Sequence, residues 1–303
     1  MTARLSKHGM SLDQVIAESL IRASGWSAIA FVLLIFAFLA REGVPAFWEV
    51  KPTVLLGARW YPTEAYFGLW PLILGSVLVT LGAAVVALPI GLLVAVFIAE
   101  VAPRPLREVV KPMIEVVAGV PSVVLGFLGM IALSPLVRQA FNAPTGLTAL
   151  TGSLVLAYMA LPTIISVAED ALDAVPRAYR DAALALGATK WQTIWRVTVP
   201  AARTGILTAM MLGIGRAIGE TMAVMMVTGN AARLPLTPDS LMRSVRTMTA
   251  TIAAEMGEVA QGSTHFHVLF AIGIILFVIT FAVNLAASLA IFRQKRRSER
   301  LLS

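Results

Sequence analysis

Long uninterrupted apolar runs decide first what this chain can be. A helix needs about 20 apolar residues to cross a bilayer, and six windows reach that length: residues 19–40, 70–99, 115–136, 147–168, 204–228 and 267–292. They predict an all-α polytopic membrane protein with six transmembrane helices, arranged as a single domain over residues 1–303. Only 14% of the residues are charged and the mean hydropathy is +0.83. Soluble proteins carry roughly 25% charge, so a soluble enzyme with one anchor is excluded. The chain has no cysteine, which removes disulfides, thiol chemistry and cysteine-ligated metals. Residues 1–10 are polar and lack the apolar core and cleavage site of a secretory signal. Residues 1–18 read as a cytoplasmic N-terminal helix. Within them the amphipathic stretch 5–19, with Asp13 and Glu18, is expected to lie on the membrane surface.

Orientation follows from Lys and Arg in the connections. One side holds Arg4, Lys7 and Arg22, then Arg104, Arg107 and Lys111, then Arg177, Arg180, Lys190, Arg196 and Arg203, and finally the tail from Arg293 to Arg300. The other side holds the smaller set Arg41, Lys51, Arg59, Arg138, Arg233, Arg243 and Arg246. Cytoplasmic loops carry the excess of positive charge, so both termini and residues 177–200 are expected in the cytoplasm. The net charge of +7 reflects these loops rather than nucleic-acid binding.

Two connections on the outer side are long. Residues 41–69 carry Trp48, Trp60, Tyr61, Tyr66 and Phe67, which read either as an interfacial aromatic belt or as a docking surface for an extracytoplasmic partner. Residues 229–266 begin with turn-forming Pro235 and Pro238, and residues 240–256 read as a helix too charged to span. His265 and His267 form a His-x-His pair with no third ligand in sight, so a metal site is not expected.

The segment 177–200 is a polar, amphipathic insertion between two apolar runs. Helix formers dominate from Arg177, and Gly187 breaks or bends the helix before it resumes. Asp181-Ala182-Ala183 is followed by three residues, Gly187, nine residues and Val197-Thr198-Val199-Pro200. This resembles the cytoplasmic signature of permease subunits of ATP-binding-cassette importers. There Glu-Ala-Ala, three residues, Gly and nine residues precede Ile-x-Leu-Pro. The spacing is kept; Asp replaces Glu, and Val replaces Ile and Leu. The resemblance implies a type I importer permease fold. It also implies a coupling segment in which Asp181, Ala182, Ala183 and Gly187 meet a separate ATP-hydrolysing subunit. Without that resemblance the segment reads as a surface helix on the bilayer. The dipeptide Gly-Lys does not occur, so the chain has no P-loop. No catalytic residue and no cofactor is expected in it, Mg-ATP belonging to the partner.

Arg216 and Glu220 interrupt the fifth run near its middle. A charge at bilayer centre costs roughly 2.5–3.5 kcal/mol on insertion scales. On a continuous helix the pair would share a face. They read either as a self-neutralising structural pair or as a polar station on an ion path, where a guanidinium fork suits an oxyanion. A carboxylate beside it favours phosphate, which keeps a proton at neutral pH, over sulfate, which does not. Gly215 and Gly219 are expected to allow close helix contact. Pro121-Ser122 interrupts the third run, and Pro89 and Gly91 lie in the second. Each reads as a packing kink or as a loosened backbone facing the path, with Ser122 lining it. Met222, Met225 and Met226 read as adaptable core filler.

Four further stretches extend the resemblance: VVAGVPSVVLGF (116–127), AYMALPTIISVAEDAL (157–172), GRAIGETMAVMMVTGN (215–230) and RTMTATIAAEMGE (246–258). They are similar to the PstC family of phosphate-importer permeases, while the first 70 residues match it only in general character. The resemblance implies an inner-membrane heterodimer with a homologous permease (PstA), an ATPase dimer (PstB) and an extracytoplasmic phosphate-binding protein (PstS). It leaves open an importer permease for another oxyanion (molybdate, sulfate or phosphonate), and, in a different class, an ion-driven carrier or channel without an ATPase.

Overall fold

The computed structural model describes residues 12–300. Nearly everything in it is helical: α1 (Leu12–Gly43), α2 (Trp70–Val96), α3 (Arg104–Ala118), α4 (Ser122–Phe141), α5 (Ala149–Asp173), α6 (Arg177–Ala185), α7 (Arg203–Gly219), α8 (Met222–Val227), α9 (Met248–Glu255) and α10 (Thr264–Arg300). Five of these helices are long and apolar enough to cross a membrane, or six if α7 is joined to the helical stretch Lys190–Ala201, from which it bends by 71°.

The core is α2 packed along α5, with α7 packed against α5 and also touching α2. The sequence allows this closeness. Gly75, Val79, Ala83, Ala87, Gly91 and Ala95 are buried at four-residue intervals along α2, a stripe narrow enough for two helix backbones to approach. Ser153 of α5 donates from Oγ to the Val79 carbonyl across that seam at 3.1 Å. Ile164 fills the space where both neighbours give way: a Cβ on Gly91 would stand 2.7 Å from Ile164 Cγ2, and one on Gly213 of α7 2.4 Å from Cγ1. Gly91 therefore serves packing. Gly91→Val will force α2 off α5, at about 1–3 kcal/mol for overpacking. A lowered melting midpoint of the detergent-solubilised protein by fluorescence-detected gel filtration checks it. Within this chain Gly215 and Gly219 make no close helix contact: a Cβ on either meets nothing within 4 Å.

Helix boundaries depart from the apolar windows for identifiable reasons. From Leu12 the N-terminal stretch continues straight into the first span as one helix, not as a separate surface helix ending near Ser19; residues 1–11 lie outside the described ones. The third span begins at Ser122, not at 115. Residues 115–118 finish the amphipathic α3, and Pro121 with Gly119 ends that helix, since proline biases the preceding residue away from helical backbone. α5 runs on to Asp173, past the apolar limit at 168, because its acidic end is paired by α3. The fifth run is not one helix to 228: it breaks after Gly219 and resumes as α8. The outer helix expected over 240–256 shrinks to α9, preceded by the 3₁₀ turn Pro238–Met242. Thr247 caps α9 by accepting from the Ala250 amide, so the helix starts there.

The outer connection 41–69 carries a two-stranded hairpin, β1 (Trp60–Tyr61) and β2 (Tyr66–Phe67). Trp60 is 2% exposed and packs with Phe67, Leu72, Met248 and Leu269, so Trp60 and Phe67 are neither belt nor docking surface. Trp48, Tyr61 and Tyr66 are exposed and keep both readings. Trp60 Nε1 donates to Glu255, which also pairs with Arg246 at 2.7 Å and with His265 at 2.9 Å.

Candidate functional site

At Glu220 the backbone turns extended (φ −70°, ψ 131°), so residues 216 and 220 are not on one helical face. The expected Arg216–Glu220 pair does not form. Glu220 Oε1 instead accepts from the amides of Thr221 (3.1 Å) and Ala223 (3.2 Å), capping α8. The Glu220 carbonyl accepts from Thr249 Oγ1 at 2.9 Å, which ties the break to α9. Arg216, half-buried, reaches the other way. Its Nη1 donates to Thr163 Oγ1 of α5 at 3.2 Å and its Nη2 to the carbonyl of Ala118 at 3.3 Å, the last residue of α3. A guanidinium at a helix C-terminus is favoured by the partial negative charge there, and both bonds are at the long end of the normal range. Ser122 opens α4 four residues past Ala118, partly buried. The structure thus gathers Arg216, Thr163, the end of α3 and the start of α4, with Glu220 at the break one turn on.

The segment 177–200 forms α6, a turn and a second short helix. Gly187 has φ +85°, a left-handed conformation that glycine adopts without a steric penalty. Thr189 then restarts the helix through a capping box with Gln192. Ala183 is buried while Asp181, Ala182 and Gly187 are exposed. The outer surface of this segment is mixed: Tyr179, Leu184, Trp191 and Leu186 are exposed, Leu186 at 89%, beside the exposed Arg177, Asp181, Lys190 and Arg196. Arg180 fastens the segment to the bundle. It donates to Glu100 (2.8 and 3.0 Å) beyond the end of α2 and to the carbonyls of Leu172 (2.9 Å) and Val175 (2.6 Å). A cleft of about 530 Å³ lies between it and the ends of α2, α3 and α5.

Sequence reasoning missed the ionic cluster between α3 and α5. Arg107 pairs with Glu169 and Asp173, and Lys111 with Glu169 (2.7 Å) and Asp170 (2.8 Å). The Asp170 hydrogen bond, then Glu169, holds the Lys111 ammonium above the usual lysine range. The available signal was the acidic run Glu169-Asp170…Asp173 closing an apolar window opposite a basic connection of matching length. His265 and His267 engage different carboxylates, Glu255 and Glu49 (2.8 Å). No group of three or more His, Asp or Glu that could hold a metal comes together among the described residues.

The fold is a multi-pass helical bundle with a guanidinium beside a broken helix and an amphipathic segment held outside the bundle, the architecture of a polytopic membrane subunit. The chain belongs to the binding-protein-dependent transport system inner membrane component family, whose model matches residues 87–298. It is 38% identical over 281 residues to the probable ABC transporter permease protein YqgH of Bacillus subtilis (strain 168), covering 91% of this chain and 90% of the relative. It is 34% identical over 306 residues to the phosphate transport system permease protein PstC of Mesorhizobium japonicum, covering 93% and 92%. Among solved structures, a bacterial alginate ABC transporter matches with a TM-score of 0.62 at 14% identity, over 91% of this chain and 94% of that one. An amino acid ABC transporter matches with 0.54 at 21%, over 80% and 100%. The likeness to these structures is one of fold.

Proposed function

We propose that this chain is a transmembrane subunit of an ATP-driven importer of inorganic phosphate in the cytoplasmic membrane. It would lie with both termini and residues 177–200 in the cytoplasm. The observation that carries the reading is Arg216: a half-buried guanidinium whose two donors rest on a threonine hydroxyl and a helix-end carbonyl, both long bonds that an oxyanion can outcompete. Relatives named as phosphate permeases over more than nine-tenths of their length support phosphate as the cargo. Arg216, Glu220 and Ser122 line the path. Glu220 commits Oε1 to the α8 amides and has Oε2 to accept the phosphate hydroxyl. Asp181, Ala182 and Gly187 meet a separate ATPase dimer, which alone binds Mg-ATP; Ala183, expected with them, is turned onto the bundle and buried, so it supports that surface from behind. A homologous permease completes the path and an extracytoplasmic phosphate-binding protein delivers the cargo. ATP-driven closure of the ATPases presses the coupling segments together, opening the path outward; hydrolysis resets it inward. This chain makes and breaks no covalent bond.

Glu220→Gln tests the selectivity. Gln can still cap α8 through its carbonyl oxygen, but its NH2 group then replaces the free carboxylate oxygen and donates rather than accepts. Phosphate uptake into proteoliposomes should fall about tenfold while sulfate exclusion weakens, the scale of one charge-assisted hydrogen bond. Normal phosphate uptake with intact sulfate exclusion would rule the role out.

A further inference from the structure

α3 is attached to the bundle in an unusual way. None of its residues is buried. Its apolar stripe, Leu106, Val109, Met113 and Val116, faces outward, with Val116 73% exposed. Val110 and Ile114 on its inner side pack only partly buried against Ile165, Ala168 and Leu172 of α5, and beside this thin apolar contact the specific anchor is charge. Arg107 and Lys111 converge on Glu169, a carboxylate only 1% exposed. A carboxylate buried that deeply is strongly unfavourable without its partners. At its far end α3 touches Arg216 through the Ala118 carbonyl. The strap is therefore pinned twice, by the Glu169 cluster and by the arginine of the proposed path. The two pins are eleven residues apart, roughly 16 Å along the helix, with Pro112 between them.

The same cluster borders the segment proposed to contact the ATPase. Asp173, which also takes Arg107, precedes α6 by four residues, and Arg180 of α6 reaches back to the Leu172 and Val175 carbonyls. A displacement of α6 therefore acts on the α5 end that anchors α3.

We propose that Glu169 is a positioning residue for transport. Through Arg107 and Lys111 it sets α3 so that the Ala118 carbonyl fills the Arg216 donor in place of the substrate oxyanion. Moving the anchor withdraws the carbonyl and frees the guanidinium. This rests on the reading of Arg216 as the phosphate contact.

The test uses the complete transporter in nanodiscs, with cysteine-free partner subunits. The chain has no native cysteine, so nitroxides at Val116→Cys on α3 and Leu212→Cys on α7 report the strap directly by double electron–electron resonance. Without nucleotide the unmodified anchor should give one short distance. Glu169→Gln should move a large share of the population outward by about 5 Å, one helical turn. With the guanidinium freed at rest, half-maximal stimulation of the ATPase should need about tenfold less phosphate, within the usual range of coupling between sites, and Glu169→Asp should restore both. Should Glu169→Gln fail to assemble, Lys111→Gln, which removes the more exposed partner, should shift the distance the same way by less. An unchanged distance distribution in the variant that assembles overturns the proposal. If the distance shifts but Arg216→Ala keeps full phosphate stimulation, the anchor stands and the phosphate contact falls.

Discussion

Gly187→Trp will abolish phosphate import while the protein still folds and inserts. Two effects coincide at this position. Any side chain at φ +85° carries a left-handed backbone penalty of about 1–2 kcal/mol. The space around a Cβ there is empty within the chain, so an indole disturbs nothing internal and projects from the surface that Leu184, Leu186 and Trp191 expose. Gly187→Ala separates the two: it adds the strain without the bulk and should cost about fivefold in transport, whereas Trp should cost more than about a hundredfold, comparable to losing a central interface contact. ATP-driven uptake in proteoliposomes, beside gel-filtration profiles of each variant, checks the pair. A Trp variant that still copurifies with an ATPase and transports normally would remove the coupling role from this segment.

Arg216→Ala should be as severe by a different route. Losing a charge-assisted, two-pronged contact to a desolvated anion costs about 3–4 kcal/mol, or 10²–10³-fold. Arg216→Lys retains the charge but not the fork. It should recover part of the activity, with a raised phosphate concentration for half-maximal uptake. Its ATPase, measured without phosphate, should not fall, because removing the bond to Ala118 loosens α3 rather than the ATPase contact. Uptake against phosphate concentration for the three proteins is the measurement.

The apolar windows announced the helices, and the Asp-Ala-Ala…Gly spacing marked the segment outside the bundle. Gly187 was legible as a breaker because its neighbours are strong helix formers; the structure adds its left-handed φ and the Thr189 cap that restarts the helix. Arg216 and Glu220 were legible as residues but not as geometry. Hydropathy treats 204–228 as one run, whereas Gly219-Glu220-Thr221 holds a helix end and a new cap, a local competition in which a carboxylate prefers two backbone amides to an arginine a turn away. Reading Gly219 as a helix end would have found it. The α3 strap was hidden for the opposite reason. Its C-terminal residues are apolar enough to merge with the following span, and only Pro121 separates them. Its partners at 169–173 come from a window some 60 residues later, a distance that periodicity does not bridge. Trp60 was misplaced because an aromatic near a membrane boundary looks the same in sequence whether it is buried under a hairpin or exposed to headgroups.

In the proposed mechanism, ATP hydrolysed by the partner subunits drives phosphate past Arg216 of this chain. It is tested most directly by reconstituting the purified transporter in liposomes loaded with Mg-ATP, adding binding protein and radiolabelled phosphate outside, and following uptake for the unmodified protein and Arg216→Ala. Phosphate should accumulate against its gradient only with internal ATP, sulfate and molybdate should not accumulate, and Arg216→Ala should abolish uptake. Phosphate uptake that persists without ATP or without the ATPase, or that survives Arg216→Ala undiminished, would contradict it.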